Sequence, residues 1–330
     1  MKSTLAALAV VAFSLSAGCA TLLAQRATST RGFGFHRIPQ VAAAWHEEDA
    51  QQVQPTLSFT WGIYTYPGQT NSAVASINKA GHMVGGYGPM LSTNYTNGGF
   101  LLKGTKFTAI DYPGANWTQP LAINDSNTIV GAYGPTASSP AQGFTLKGAK
   151  YSALNYPGAG LTRPSGINKS GDIVGEAIDT TDHGFLLSKG NFSSLQYPGA
   201  AYTVAWSINN GGTVVGYYGL TFNDSHGFIY SNGTYSTFDY PGGYSQNAVT
   251  GMNDNGVIVG GYGDKTTVNG VEYFWTHCYV YESGQFTSCD APFGPPAVTT
   301  PWHLNNSGVI TGTYVDSTAT TYGFALTVGP

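Results

Sequence analysis

Acidic side chains and histidines come close together at two places in the middle of the chain. Asp179, Asp182 and His183 form the first group, and Asp224 and His226 form the second. Carboxylate oxygens and imidazole nitrogens ligate divalent metal ions, so the first group is a candidate metal site. Its spacing matches neither a zinc motif nor a calcium-binding loop, and we therefore expect no metal and no other cofactor.

Motifs for nucleophilic or phosphate chemistry are missing from the sequence. It contains no Gly-x-Ser-x-Gly, no phosphate-binding loop and no His-Glu-x-x-His. The sequence therefore assigns no catalytic residue, and it does not decide whether the chain is an enzyme.

The elements that position these side chains belong to a pattern that occurs six times. Tyr-Pro-Gly begins at Tyr66, Tyr112, Tyr156, Tyr197 and Tyr240, and Ala291-Pro292-Phe293 is a degenerate sixth copy. Each copy continues with an Asn turn, a Gly seven residues later, a variable loop and a Gly-Phe pair, which His277-Cys278 replaces in the fifth copy. The turns start at Asn78, Asn124, Asn168, Asn209, Asn253 and Asn305.

Each copy contains four segments that read as strands. In the second copy they are Lys106 to Tyr112, Pro120 to Asn124, Thr128 to Tyr133 and Gly143 to Lys147. Asn232-Gly233 in the fourth copy is typical of a two-residue hairpin turn. Units of about 45 residues with four short strands predict an all-β, six-bladed β-propeller, and two tandem β-trefoil-like units are the alternative.

Tight turns between consecutive copies have a consequence for the chain ends. They require the last strand of one copy to pair with the first strand of the next. We therefore expect strands from both ends of the chain to close the ring, by pairing Phe59 to Tyr66 with Phe324 to Val328.

Composition supports this architecture and narrows the partners. Charged residues make up 9% of the 330 residues, whereas Gly (45), Tyr (22) and Phe (16) are abundant, which favours short strands and turns over long helices. The formal net charge of −4 provides no basic field, so nucleic acid is not an expected partner.

The chain divides into an export signal peptide (1–24), an irregular lead-in (25–56) and the six-repeat region (57–330). Lys2 precedes the apolar run Leu5 to Leu15, which is too short for a transmembrane span, and small residues follow it. Cys19 is a candidate lipidation site, with cleavage after Ala20 or Ala24 as the alternative. Both outcomes predict a secreted or cell-surface protein.

Cys278 and Cys289 face each other across a predicted hairpin that turns at Ser283-Gly284. An oxidising compartment permits a disulfide between them. Two buried thiols are the alternative. A two-residue turn places the cysteines at a hydrogen-bonded position of the two strands, where the geometry is less favourable for a disulfide.

Several segments match a known repeat. They are Phe107-Thr-Ala-Ile-Asp-Tyr-Pro-Gly-Ala115, Ala122-Ile-Asn124, Ile129-Val-Gly131, Gly143-Phe144, Asp182-His183-Gly184-Phe185 and Ser225-His226-Gly227-Phe228. Together they resemble the HAF-type bacterial extracellular repeat, with Gly in place of the Ala of its His-Ala-Phe core. The resemblance covers residues 57–330 and implies an extracellular, propeller-like protein with no general activity. The His is missing from Gly98-Gly99-Phe100 and Tyr322-Gly323-Phe324, which argues against a functional role for it.

Polar residues that recur in every copy are interpreted as structural. The residues before Tyr-Pro-Gly are Thr65, Asp111, Asn155, Gln196 and Asp239, and such exchange between carboxylate, amide and hydroxyl indicates a hydrogen-bonding position. The repeated Asn is predicted to form its turn by adopting positive φ and by bonding its own backbone. Glu176 is unusual, since the equivalent residues are Gly86, Ala132, Tyr217, Gly261 and Thr313.

Function is expected where the copies differ, which is mainly in the loops between the third and fourth strands. Tyrosines open five of these loops, and an aromatic insertion extends the fifth loop. The candidate binding residues are Tyr87, Tyr133, Tyr218, Tyr262, Trp275 and Tyr314. Aromatic rings beside Asn, Thr and Asp suit a sugar, whereas the alternative is that the tyrosines pack blade edges.

These observations favour an extracellular binding or adhesion module without catalytic activity. Its expected partner is a polysaccharide or another surface protein, and a monomer is expected. A structural component of the cell envelope is one alternative. A glycan-active enzyme, with two carboxylates at the mouth of the propeller, is the other.

Overall fold

The computed structural model describes residues 58–88, 98–136, 139–221, 223–242, 244–268, 271–293, 298–316 and 320–329, with the backbone alone for 264–268 and 271–276. The predicted export signal, the lead-in and Cys19 lie outside the described residues. All regular structure in these ranges is β, with 24 strands and no helix. Accordingly, this part of the chain contains no helix that could cross a membrane.

The strands form four four-stranded sheets and one eight-stranded sheet. The first strand, β1 (Ser58–Tyr64), belongs to the sheet formed by the end of the chain. The next two sheets contain β2 (Ser72–Ile77), β3 (Met83–Tyr87), β4 (Gly98–Lys103) and β5 (Lys106–Ile110), and then β6 (Trp117–Ile123), β7 (Thr128–Gly134), β8 (Gln142–Lys147) and β9 (Lys150–Leu154).

The eight-stranded sheet has two halves of four antiparallel strands, joined by one parallel bridge between Asp182 and Tyr202. Its strands are β10 (Leu161–Ile167), β11 (Ile173–Ile178), β12 (Asp182–Ser188), β13 (Asn191–Leu195), β14 (Tyr202–Ile208), β15 (Val214–Gly219), β16 (His226–Ser231) and β17 (Thr234–Thr237). The remaining strands are β18 (Gln246–Met252), β19 (Ile258–Val268), β20 (Val271–Glu282), β21 (Gln285–Ser288), β22 (Val298–Leu304), β23 (Val309–Val315) and β24 (Thr321–Gly329).

The sheets are arranged like the blades of a propeller. Counted within a sheet, each set of four begins at β2, β6, β10, β14, β18 or β22, which is one strand later than in the copies of the sequence pattern. The first strand of each set is buried along most of its length, and the fourth strand is mostly exposed. The first strands contact one another in a closed cycle, from β2 through β6, β10, β14, β18 and β22 back to β2. They therefore surround a common axis, which excludes two separate trefoil-like units.

The two ends of the described chain share a sheet. Strand β1 pairs antiparallel with β24, which places Phe59 opposite Val328 and Tyr64 opposite Gly323. Strand β24 also pairs with β23 and is therefore an inner strand of its sheet. The predicted pairing of the chain ends is confirmed.

The repeated Gly and the repeated Phe pack against each other in the core. Phe185 is fully buried and lies opposite Gly175, where a Cβ would come within 2.7 Å of the Phe185 ring. In the fifth copy the residue opposite the repeated Gly is Tyr279, not Cys278. The sequence alignment of His277-Cys278 with Gly-Phe was therefore wrong by one residue, because an aromatic ring has to fill this position.

Antiparallel topology sorts the connections onto two faces. The Asn turns between first and second strands lie on one face, which we call the Asn face, together with the tight turns between third and fourth strands. The variable loops and the Tyr-Pro-Gly connections lie on the opposite face, which we call the loop face. Each first strand runs from the loop face to the Asn face.

The six repeated asparagines do more than form turns. The Oδ1 atom of Asn124 accepts hydrogen bonds from the backbone N–H groups of Ser126 (3.0 Å) and Thr128 (2.9 Å). Positive φ occurs three residues later, at Asn127 in this copy and at a Gly in the others, so the expectation of positive φ at the repeated Asn was wrong. The turn still depends on the repeated side chain.

The amide Nδ2 of each repeated Asn donates to the backbone carbonyl of the next repeated Asn around the axis. The donors Asn78, Asn124, Asn168, Asn209, Asn253 and Asn305 form a closed cycle, with distances between 3.0 and 3.5 Å. We call this cycle the Asn ring. It links each unit to its neighbour and links the last unit to the first.

Candidate functional site

Five of the six predicted binding residues have described side chains, and these five tyrosines are packed between other rings. Four of them stack on the tyrosine of Tyr-Pro-Gly with centroids 3.5–3.9 Å apart, in the pairs Tyr66–Tyr87, Tyr112–Tyr133, Tyr197–Tyr218 and Tyr240–Tyr262. Tyr314 instead stacks on Tyr322 at 4.8 Å. Burial raises the pKa of Tyr87 and of Tyr133 to about 12. One face of each ring is therefore covered by its stacking partner, and the side chain of Trp275 lies outside the described residues. A role of these six residues in binding stays a prediction.

The residue before Tyr-Pro-Gly caps the strand beside it. Asp239 Oδ1 accepts a hydrogen bond from the Gly227 N–H at 2.8 Å, and Asn155 Oδ1 accepts one from the Gly143 N–H at 3.2 Å. Carboxylate and amide serve equally well here, because only an acceptor oxygen is needed. The predicted hydrogen-bonding role is confirmed in these copies.

The histidines of the repeat hold this capping residue and the tyrosine together. His226 Nδ1 lies 2.7 Å from Asp239 Oδ2, and this hydrogen bond raises the pKa of His226. Its ring lies 5.5 Å from that of Tyr218. His277 repeats the arrangement on Tyr262, at 4.9 Å. The histidine is therefore part of the packing of its blade.

The three candidate metal ligands do not converge. His183 Nε2 lies 3.4 Å from Asp179 Oδ2, whereas Asp182 is hydrogen-bonded to Glu176. Among the described residues, no three His, Cys, Asp or Glu side chains are grouped so as to hold a metal ion.

The predicted disulfide between Cys278 and Cys289 is present, with Cα atoms 4.9 Å apart. The turn at Ser283 and Gly284 has positive φ at both residues, as a two-residue hairpin requires. Cys289 donates its N–H to the Cys278 carbonyl, but the Cys278 N–H is bonded to Asp290 Oδ1 instead. The two cysteines therefore form only one of the two backbone hydrogen bonds that a regular hydrogen-bonded strand position would have.

A β-bulge interrupts every first strand and leaves one residue without a partner on the second strand. The bulged residues are Ala75, Leu121, Ser165, Trp206, Thr250 and Trp302. Four of them, from units on different sides of the axis, form one cluster that we call the axial plug: Ala75, Leu121, Trp206 and Trp302. Trp206 Nε1 donates to the Trp302 carbonyl at 3.1 Å, which links two copies that are not neighbours in the ring.

Polar side chains line one side of the axis between the plug and the loop face. Arg163 and Glu176 are paired in register on β10 and β11, and the Arg163 guanidinium lies 6.0 Å from the centre of the Trp206 ring. Arg163 also donates to Gln119 Oε1 at 3.5 Å. We call Gln119, Arg163, Glu176, Asp182 and Tyr217 the polar wall.

The two acids of the polar wall are deeply buried. Glu176 is 5% exposed and Asp182 is 4% exposed, and their carboxyl groups are hydrogen-bonded to each other. Burial, together with the nearby Asp182 carboxylate, raises the pKa of Glu176 to about 8, although Arg163 opposes the rise. Burial and the neighbouring acid therefore favour the protonated form of Glu176. The sequence showed Glu176 as unusual but gave no sign of its partner.

Small residues line the other side of the axis at the same level. The register pairs are Ala73–Gly86, Ala248–Gly261 and Thr300–Thr313. Gly86 is half-buried, and a Cβ at this position would meet nothing nearer than the Gly98 carbonyl oxygen at 3.6 Å. We call these six residues the small-residue wall, and we call the part of the axis that the two walls line the axial mouth.

A separate pocket of about 50 Å³ lies on the Asn face. The repeated asparagines and the apolar residues that precede them, such as Ile77 and Ile123, form its walls. His303 also lines it, and burial lowers the pKa of this histidine to about 4. The pocket therefore combines aliphatic side chains with many asparagine amides and with the charged residues Asp125, Lys169 and Asp254, and it does not include the axial plug.

No family model and no curated protein matches the sequence. Among solved structures, the chain is similar to a mutant of AofleA from Arthrobotrys oligospora, with a TM-score of 0.50, 13% identity, and coverage of 81% of this chain and 86% of that chain. It is also similar to an Aleuria aurantia lectin mutant in complex with Fucalpha1-6GlcNAc, with a TM-score of 0.47, 10% identity, and coverage of 79% and 95%. At these identities the likeness concerns the fold alone, which is all-β and propeller-like.

Proposed function

We propose that the protein is an extracellular, six-bladed propeller of the HAF type that binds carbohydrate in its axial mouth. The blade count treats the halves of the eight-stranded sheet as two blades, because a single bridge joins them. The six donors of the Asn ring support this count. The disulfide supports an oxidising compartment, as expected for an exported protein.

The observation that carries the binding proposal is the asymmetry of the axial mouth. Structural requirements of the repeat act equally on all copies, yet bulky polar side chains occupy three neighbouring copies and small residues the other three. A half-exposed Trp206 forms the floor, with Arg163 beside it. Glycine at position 86 leaves room opposite them.

The chemistry of the axial mouth suits a sugar better than an apolar ligand. A sugar ring has an apolar face that packs on an indole, and hydroxyl groups that need both donors and acceptors around them. Gln119 supplies both kinds of group, and Thr300 supplies a hydroxyl from the small-residue wall; both side chains are partly exposed. The tyrosines predicted to form the sugar site instead support the blades that hold this mouth.

Blocking the mouth tests the proposal. Gly86→Tyr places a phenol where the fourth copy already carries Tyr217, so the fold should accept it while the ligand is excluded. Ser126→Tyr adds the same side chain to an exposed position on the Asn face and serves as the matched control. The wild type is first screened for a thermal shift against a panel of oligosaccharides.

A ligand at one hundred times its dissociation constant adds about 2.7 kcal/mol of stability. The proposal predicts at least one such hit, with affinity reduced by Gly86→Tyr by about tenfold or more and unchanged by Ser126→Tyr. Equal affinity in both variants would place the site elsewhere. A blank panel would favour a structural role in the cell envelope.

A glycan-active enzyme is the second candidate, because Glu176 and Asp182 are a buried acid pair with one raised pKa. Glycosidases, however, hold their two carboxyl groups about 5–9.5 Å apart, on either side of the bond that breaks. Here the two groups are in direct hydrogen-bonding contact. Product formation from any oligosaccharide that binds, abolished by Glu176→Gln, would establish the enzyme instead of the binding module.

A further inference from the structure

We infer that His226, when protonated, holds the variable loop of the fourth copy in place, and that it releases this loop as the pH rises. The inference does not depend on the proposed binding function. It concerns the pair of Asp224 and His226 that stands out in the sequence.

His226 lies between two carboxyl groups that belong to different connections of the loop face. Its Nδ1 lies 2.7 Å from Asp239 Oδ2, and its Nε2 lies 3.7 Å from Asp224 Oδ2. The other oxygen of each acid accepts a hydrogen bond from the backbone. Asp239 Oδ1 accepts from the Gly227 N–H at 2.8 Å, and Asp224 Oδ1 accepts from the Thr221 N–H at 2.7 Å. Both carboxyl groups are therefore fixed around the imidazole ring.

The contact with Asp224 depends on the charge of the ring. A neutral imidazole has one N–H, and the short contact with the Asp239 carboxylate, which only accepts, requires it at Nδ1. Nε2 then presents a lone pair to Asp224 Oδ2, and two acceptors repel each other. Protonation adds an N–H at Nε2, so one ring donates to both acids. The proton therefore adds the bond to the loop, whereas the bond to Asp239 is present in either state.

The groups that face His226 favour its protonated form. The ionisable ones are Asp239, Asp224 and the phenol of Tyr218, whose ring lies 5.5 Å from the imidazole. Burial keeps the Tyr218 phenol neutral by raising its pKa. The hydrogen bond with Asp239 and the charges of the two acids raise the pKa of His226, although burial opposes the rise.

Asp224 is the residue through which this loop is attached to its own blade. Its backbone carbonyl accepts a hydrogen bond from the Tyr202 hydroxyl at 2.7 Å. The next residue, Ser225, is joined to the fifth blade, because its carbonyl accepts from the Asn247 N–H at 2.9 Å. Loss of the His226 contact should therefore loosen the loop around Thr221 and Asp224 while Ser225 stays paired.

The direction of the pH dependence follows from the raised pKa of His226. The proton stabilises the held loop fully below the ordinary value of about 6.5, and this stabilisation is lost as the pH rises through the raised value. The three side chains are 25–30% exposed, so the effect should be that of a partly exposed ion pair.

Two measurements on the whole protein, from pH 5.5 to 9, test the inference. Nuclear magnetic resonance follows the titration of the His226 ring, and hydrogen-exchange mass spectrometry follows the loop, corrected for the intrinsic effect of pH on exchange. Asp224→Asn keeps an oxygen for the Thr221 N–H but removes the charge, and His226→Gln keeps a donor for Asp239 but does not titrate. Asp179→Asn, which removes the acid beside the histidine of the third copy, is the matched control. Circular dichroism confirms folding.

The wild-type His226 should titrate above pH 6.5, and exchange of the loop should rise by about two- to fivefold across its midpoint, the factor that corresponds to a partly exposed ion pair. Asp224→Asn should lower the midpoint and remove the pH dependence of loop exchange, and His226→Gln should also remove that dependence. Asp179→Asn should change neither.

A wild-type midpoint at or below pH 6.5, or loop exchange in the wild type that does not depend on pH, would overturn the inference, and neither result requires a variant to fold. The same conclusion would follow from an unchanged midpoint in Asp224→Asn, or from pH-dependent exchange that persists in His226→Gln.

Discussion

The Asn ring makes a quantitative prediction through Asn124, which is buried and uses its whole side-chain amide. Its Oδ1 accepts from the N–H groups of Ser126 and Thr128, and its Nδ2 donates to the Asn168 carbonyl at 3.0 Å. Asn124→Ala removes all three hydrogen bonds and leaves the two N–H groups and the carbonyl without this partner.

The magnitude follows from these three bonds. A typical hydrogen bond contributes about 1 kcal/mol net, and a buried group left unsatisfied costs about 1–3 kcal/mol. We therefore expect Asn124→Ala to lower the free energy of unfolding by about 3–5 kcal/mol. At roughly 2–4 °C per kcal/mol for a domain of this size, the melting temperature should fall by at least about 6 °C.

Asn124→Asp distinguishes the contribution of the Asn ring to stability from that of the turn. It retains the oxygen that accepts from Ser126 and Thr128, but it places a carboxylate against the Asn168 carbonyl where a donor stood. Protonation restores a donor, so the pKa of this Asp is expected to be raised in the folded state. The variant should therefore regain stability as the pH falls below that raised value, and lose it as the pH rises.

Urea denaturation of the wild type and both variants, from pH 4 to 7, provides the measurement. Asn116→Ala, an exposed position in the same copy, controls for the loss of an Asn side chain. A loss below about 1 kcal/mol for Asn124→Ala, or a loss equal to that of Asn116→Ala, would show that the Asn ring does not hold the units together.

Three further predictions concern the whole domain. Removing Phe324 to Pro330 deletes most of an inner strand that pairs with both β1 and β23, so cooperative unfolding of the entire domain should be lost; an unchanged calorimetric transition would contradict ring closure. Reducing the Cys278–Cys289 disulfide, whose loop spans 11 residues, should lower stability by about 3 kcal/mol in urea titrations with and without reductant, and an unchanged midpoint would count against the bridge. The pKa of Tyr87 and of Tyr133 is about 12 in the folded state, whereas unfolded tyrosine ionises near pH 10. The folded state therefore binds more protons than the unfolded state between pH 10 and 12. Stability should therefore fall as the pH rises from 10 to 12, and phenolate absorbance that rises near pH 10 without any change in circular dichroism would refute this coupling.

The repeat allowed much of the fold to be predicted from the sequence. Strand β5 begins at the predicted Lys106, and the hairpin at Asn232-Gly233 has positive φ at both residues. The pairing of β1 with β24 also followed, since tight turns leave the chain ends no other partner. These features depend on local turn residues, and the same residues recur in the copies of the pattern.

The candidate site could not be predicted in the same way. The sequence left open whether the tyrosines bind a sugar or pack blade edges, because the stacking of Tyr87 on Tyr66 and of Tyr218 on Tyr197 joins residues about 20 positions apart. Glu176 stood out as a charge at a mostly small position, yet its proximity to Asp182 depends on the register in which β11 pairs with β12. Likewise, the Asn ring joins residues more than 40 positions apart, so no local pattern reveals it.

The β-bulges have a consequence for how such a protein can diverge. A bulged residue has no partner opposite it, and regular pairing resumes on both sides, so its identity is free of the constraints that fix the rest of the strand. Within this one chain the position already holds alanine, leucine, serine, threonine and tryptophan. Substitutions here can therefore change the side chains around the axis one copy at a time while the strand pairing is kept. A randomised library at these positions, screened for folding, would explore the range of ligands.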